Sequence, residues 1–246
     1  MDRQHMPSIL FLDIETVSAH QEYDLLSHRM KEQWQRKSKR FLPQGEEPTE
    51  EKWSELYSDK AAIMAEFGRI VCISVGFLHE KPNGDWGMRI KSFANTDELT
   101  LLTDFAAMLE ESFAQRQFQY LCGHNVREFD LPYIGRRMLI QGMPLPLPLQ
   151  LQGKKPWELK HILDTMELWK FGDFKHYTSL DLLSAIFDIP SPKSDIDGSQ
   201  VGRVFYQEGD LERIKNYCER DVWVTASVFL RMNQMDYPQD KDVVYV

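Results

Sequence analysis

FLDIETV, residues 11–17, is an apolar run interrupted by two carboxylates, Asp13 and Glu15. With its neighbours, SILFLDIE (8–15), it reads as the first and central strand of a sheet. Strand side chains alternate between faces, so Asp13 and Glu15 aim together. They stand at the carboxyl end of that strand, where open α/β sheets place their ligands. Two carboxylates about 4 Å apart repel by about 4 kcal/mol at an effective dielectric of about 20. A shared proton, a basic partner or a divalent cation would offset this. The purely structural alternative is a solvated, inert pair at a loop end.

Outward from this strand, residues 18–60 break the pattern. They are polar and helix-compatible, basic in RMKEQWQRKSKR (29–40) and acidic in GEEPTEEKWSE (45–55). We read 18–60 as a charged helical insertion within a single domain spanning 1–246. RIVCISVGFLH (69–79) alternates and is β-branched, and GDWGMRIKSFA (84–94) follows a KPNG turn, which predicts an antiparallel hairpin. Residues 95–114 carry apolar side chains at helical spacing, with Asn95 or Thr96 as the expected N-cap. A short buried strand is expected at 119–125, a helix at 128–142 and a last strand at 159–165. Alternating prolines at 144, 146 and 148 block helix between them. Helices are expected at 178–189 and 210–232. The order predicts an α/β fold, a mixed β-sheet flanked by helices.

The chain has 246 residues and 42% hydrophobic composition, enough for one substantial core. Its net charge of −9 repels polyanions and anionic membranes on average. Salt screens charge beyond roughly 8 Å, so a local basic groove still works. Cys72, Cys122 and Cys218 form no CxxC pair and read as reduced, structural residues of a cytoplasmic protein. The N-terminus lacks an apolar h-region, and no apolar run suits a membrane span.

Two further segments add acids. In GHNVREFDLPYI (123–134), Asp130 lies in an apolar turn just after a strand; alternatively it caps the next helix, which has Pro132 in its first turn. In YCERDVWVT (217–225), Tyr217 and Asp221 lie four apart on one helical face. A partly buried ion pair of Asp221 with Arg220 or Arg213 is the structural alternative.

Taken together, DIET, HNVREFDLPY and YCERD resemble the DEDD superfamily of 3′–5′ exonucleases. The tyrosine four before the last aspartate marks its DEDDy branch. The match is similar to the proofreading exonuclease domain of B-family DNA polymerases, with Asn125, Phe129, Asp130, Pro132 and Tyr133 meeting its second motif. The resemblance continues through HILDTMEL, YTSLDLLSAIFDI and SPKSDIDGSQV. It implies a ribonuclease H-like fold and a site for two divalent ions, Mg²⁺ or Mn²⁺. All-oxygen ligation suits such hard ions. On this resemblance Asp13, Glu15, Asp130 and Asp221 are the metal ligands and Tyr217 orients the attacking water. Asp13 would bridge the ions, Glu15 and Asp221 complete the first, and Asp130 hold the second.

By the same resemblance Thr16, Asn125 and Phe129 touch the terminal nucleotides, and Lys193 enters the site on the loop SPKSDIDGSQV (191–201). Core packing is the alternative for Phe129. His124 is either a phosphate contact or structural, and Asp164 either supports the site or caps the next turn. The basic stretch of residues 29–40, with Trp34 among its charges, is a strand-guiding surface or a solvated helical face. The implied substrate is single-stranded nucleic acid, DNA before RNA. The rivals are an exoribonuclease and an exonuclease-like scaffold that binds a repair partner.

Overall fold

The computed structural model describes all residues except 46, 116, 174–176 and 191–195. Strand β1 (Ile9–Ser18) is buried along nearly its whole length, as a strand covered on both faces must be. It pairs antiparallel with β2 (Gly68–Glu80), which pairs antiparallel with β3 (Trp86–Ala94) across the expected turn, where Gly84 takes φ +82°. On its other side β1 pairs parallel with β4 (Tyr120–Gly123), and β4 pairs parallel with β5 (Ile162–Asp164). The six-stranded order is β5-β4-β1-β2-β3-β6. This is a mixed sheet with flanking helices, as the order of sequence elements predicts.

The sixth strand, β6 (Val243–Tyr245), was not expected; the last strand was placed at 159–165. It is three residues long, partly to half exposed, and pairs parallel with β3. A strand this short, with little burial, leaves no periodic signal.

The alternation of β1 divides the core. Leu10, Leu12 and Ile14 pack against α3 (Glu98–Ala114) and α4 (Asp130–Ile140). Ile9 and Phe11 face the opposite cluster, which includes Val222, Val228 and Phe229 of the long C-terminal helix, Leu211–Met232. That helix approaches so closely that a Cβ on Gly76 would meet Val222 Cγ1 at 3.0 Å. The cap of α3 is Asp97, not Asn95 or Thr96: its Oδ2 accepts the Thr100 N–H at 3.1 Å. Asn95 instead accepts the Asp97 N–H at 2.9 Å and shapes the turn before it.

Residues 18–60 contain α1 (His28–Ser38) and α2 (Glu50–Lys60), capped by Ser27 and Thr49. They bury their own cluster around Tyr23, Trp34, Trp53 and Tyr57, closed by Phe67. Trp34 is fully buried and donates its indole N–H to Trp53 O at 3.1 Å. It therefore offers no stacking face among the surrounding charges. Lys31 and Lys37 are engaged by Asp24 and Glu66, at 2.6 and 2.7 Å. Three short helices complete the chain: α5 (Thr165–Lys170), α6 (Leu180–Ile186) and α7 (Val201–Arg203). The C-terminal helix is α8. Among the described residues no helix is long and apolar enough to cross a membrane.

Candidate active site

Asp13 and Glu15 lie opposite Ser74 and Cys72 of β2, on one face of the sheet. The ladder shifts between Glu15 and Thr16, so β1 bends just beyond the pair. Glu15 is 7% exposed and Asp130 is 3% exposed. Asp13 and Asp221 are partly buried. Asp130 is the first residue of α4, whose N-cap position is Phe129, so it is not the cap. Asp221 and Tyr217 project from α8.

The acids lie within one another's fields. Burial raises the pKa of Asp13, and Asp130 and Asp221 add to the rise. Burial, then Asp13 and Asp221, raise Glu15. Burial carries Asp130 from 3.8 to about 7. Asp221 is raised by burial, against the pull of Arg220 and a hydrogen bond from Tyr217. Arg220 Nη2 reaches Asp221 Oδ1 at 3.1 Å, and its guanidinium lies 5.0 Å from the Tyr217 ring centroid. The ion pair and the place near the other acids thus coexist at Asp221. The Tyr217 phenol is held well above its ordinary value by burial and then by Asp221, Glu15 and Asp13. It stays protonated and acts as a donor.

The second motif is held by Asp164, buried at the end of β5. Its Oδ1 accepts N–H groups from Asn125 and Met166 at 3.0 Å, and its Oδ2 accepts that of Arg127 at 3.1 Å. One carboxylate therefore caps α5 and fixes the loop that leads to Asp130. The helix-capping reading of Asp164 holds in this structure. Arg127 spans the same junction, bonded to Glu167 at 2.7 Å and to Ile162 O at 2.5 Å. His124 uses both ring nitrogens, on Thr165 Oγ1 at 2.9 Å and Thr178 O at 3.0 Å. It is structural.

Asn125 takes φ +61°, and its buried Oδ1 has no partner among the described residues. Phe129 packs partly against the core, 5.4 Å from the Tyr133 ring. Thr16 donates its hydroxyl to Ala62 O at 2.9 Å and lines a polar cleft of about 500 Å³ with Ser18, Lys60, Ile63, Arg203 and Tyr206. Lys193 lies outside the described residues. The sequence reading left out one neighbour of the acids, Cys218, whose thiol donates to Asp13 Oδ2 at 3.4 Å. Its spacing three before Asp221 carried that signal.

The donor set fits divalent cations. Ligand atoms of Asp13 and Glu15 lie within 4.8 Å of one another and of the Cys218 sulfur, and Asp130 and Asp221 bear on both carboxylates electrostatically.

Comparison with known proteins gives the same class. Residues 62–243 match the family described as "Predicted 3'-5' exonuclease related to the exonuclease domain of PolB". The chain belongs to this family. The match begins at residue 62, so the DIET segment stands outside it. No curated protein matches the chain. Among solved structures it is similar to the family B DNA polymerase from the hyperthermophilic archaeon Pyrobaculum calidifontis, with 13% identity and a TM-score of 0.47. The likeness covers 92% of this chain and 26% of the polymerase, so the chain spans about a quarter of that protein.

Proposed function

We propose that this protein is a divalent-metal-dependent 3′–5′ exonuclease that shortens single-stranded DNA and releases nucleoside 5′-monophosphates. The observation that carries the reading is the set of four acids, raised by burial and mutual repulsion, with Tyr217 beside them. Asp13, Glu15, Asp130 and Asp221 would hold two Mg²⁺ or Mn²⁺ ions. When bound, such ions supply an activated water and offset charge on the phosphoryl oxygens.

The chain's own residues do the rest. Tyr217 donates a hydrogen bond and orients the water. It is not a base, since its phenol is held protonated. Asn125 keeps an unpartnered acceptor for a terminal nucleotide, and Phe129 offers a ring edge to its base or sugar. Stacking on such a ring contributes roughly 1–3 kcal/mol per base. Thr16 and the polar cleft beside it form a path for the strand. Lys193 is proposed as a phosphate contact on the resemblance alone.

The choice of DNA rests on the likeness to polymerase proofreading domains. An exoribonuclease is the second reading, because the 2′-OH is what separates the two substrates. The test uses 5′-labelled single strands of DNA and RNA with Mg²⁺, Mn²⁺ or EDTA. A metal-dependent ladder on DNA, weaker on RNA, is expected. A stronger ladder on RNA would reverse the substrate assignment. A ladder that persists in EDTA on metal-stripped protein would overturn the mechanism.

A further inference from the structure

The basic stretch 29–40 buries Trp34 and pairs Lys31 and Lys37 with acids. A second basic segment does the opposite. In GKKPWELK, residues 153–160, Lys154, Lys155, Trp157 and Lys160 are all exposed, Trp157 by 64%. Large aromatic rings are mostly buried, so this exposure is itself a signal. Lys155 holds its ammonium 5.0 Å from the Trp157 ring centroid, which sets positive charge beside a flat stacking surface. None of the three lysines forms an ion pair among the described residues. Glu158, the acid of this segment, is engaged by the backbone: its Oε2 accepts the Lys155 N–H at 2.8 Å. The backbone here is held in place. Gly153 takes φ +71°, Pro156 opens the 3₁₀ turn Pro156–Glu158, and Leu159 packs against the core.

This turn is tied to the loop of the second motif. Arg127 donates its amide to Asp164 Oδ2 at 3.1 Å, and its guanidinium to Leu159 O and Ile162 O at 3.2 and 2.5 Å. The pKa of His161 is lowered by burial and then by the charges of Lys154 and Arg127. A positive field therefore persists here, although the chain carries a net charge of −9. We infer that the turn is a platform for single-stranded nucleic acid, which takes nucleotides upstream of those at Asn125 and Phe129. A base stacks on Trp157, and phosphates meet Lys154, Lys155 and Lys160. The class of ligand rests on the exonuclease reading, and the platform adds to the cleft beside Thr16. Successive phosphates complement a row of ammonium groups, and stacking tolerates any sequence because every base has a π-face. A merely solvated lysine face has no need of an exposed indole among its charges.

Binding without cleavage tests the platform. Metal-stripped protein in EDTA is titrated into a long, 5′-fluorescein-labelled oligothymidine and followed by anisotropy over a range of salt concentrations. Trp157→Ala should bind roughly 10-fold more weakly, as for the loss of one stacked base. Trp157→Phe keeps a ring and should recover most of the affinity. Lys154→Gln, Lys155→Gln and Lys160→Gln combined should make the slope of log affinity against log salt shallower by about 2, the value for about three phosphate contacts on a single strand. Lys31→Gln with Lys37→Gln should leave affinity and slope as in the wild type. The substituted side chains of the turn are exposed, so the melting temperature should hold in each variant. Wild-type affinity in Trp157→Ala, an unchanged slope in the lysine variant, or no binding by the wild type would overturn the platform. Binding that depends on Trp157 and the lysines, without Mn²⁺-dependent cleavage, removes the exonuclease reading alone. Cleavage of long strands by these variants at the wild-type KM removes the platform alone.

Discussion

Tyr217 and Asp221 stand one helical turn apart, and the phenol donates to the carboxylate while the acids nearby hold its proton in place. Tyr217→Phe keeps the ring and removes only that donor. Its rate should fall roughly 10²-fold, the lower end for a positioned proton-handling group, or about 2.7 kcal/mol of barrier. Single-turnover cleavage and thermal melting of the same protein check this. A lost melting temperature with an unchanged rate would make the hydroxyl structural. Asp164 acts through others: its two oxygens hold the amides of Asn125 and Arg127. Asp164→Asn puts a donor where an acceptor is needed. Activity should fall roughly 10–100-fold, as for groups that orient ligands, and Mn²⁺ affinity should weaken with it. Mn²⁺ titration and cleavage at saturating Mn²⁺ measure the two effects.

At the scale of elements, α4 must present Asp130 to the end of β1, and a buried ion pair fixes its place. Arg137 donates to both oxygens of Glu98, at 2.9 and 2.6 Å, and to Ala65 O at 2.8 Å, tying α4 to α3 and to the turn between α2 and β2. Glu98 also accepts the Ile70 amide at 2.7 Å. Arg137→Ala leaves a buried carboxylate uncompensated and should cost about 3–5 kcal/mol in stability, read by urea denaturation. What the sequence showed and hid follows from the same physics. β1, the β2–β3 hairpin, α3 and α8 carry strong periodicity and long burial, so pattern alone located them. β6 buries too little to leave a pattern. The cap at Asp97 was missed because Asn95 and Thr96 are chemically eligible too, and only the backbone path selects among them. The shared face of Asp13 and Glu15 was legible from a period of two. The pairing of Glu15 with Cys72 was not, because register between strands is set by the turn and the opposing pattern. Trp34 looked like an exposed aromatic among charges, and burial against Trp53 and Tyr57 became visible only in three dimensions.

At the scale of the whole molecule, the acids make the metal-free fold sensitive to pH. Asp130 rises from 3.8 to about 7, and Asp13, Glu15 and Asp221 rise as well. The folded state therefore holds protons that the unfolded chain releases near pH 4. That stabilisation is fully present below about pH 4 and is lost as pH climbs through about 7. In EDTA the contribution of these groups should make the protein melt lower at about pH 8 than at about pH 5. At the higher pH, Mn²⁺ should raise the melting temperature by binding the folded state alone. A metal-free melting temperature that rises from pH 5 to 8, with no response to Mn²⁺, would contradict the picture of uncompensated acids. The central claim is the proposal that these acids form the catalytic metal site, with Asp13 among its ligands. The most direct test is nucleotide release from a 5′-labelled single strand by metal-stripped wild type and Asp13→Ala, each reloaded with saturating Mn²⁺. The account predicts release by the wild type and none by Asp13→Ala, although that variant folds. Release by Asp13→Ala at the wild-type rate would contradict it.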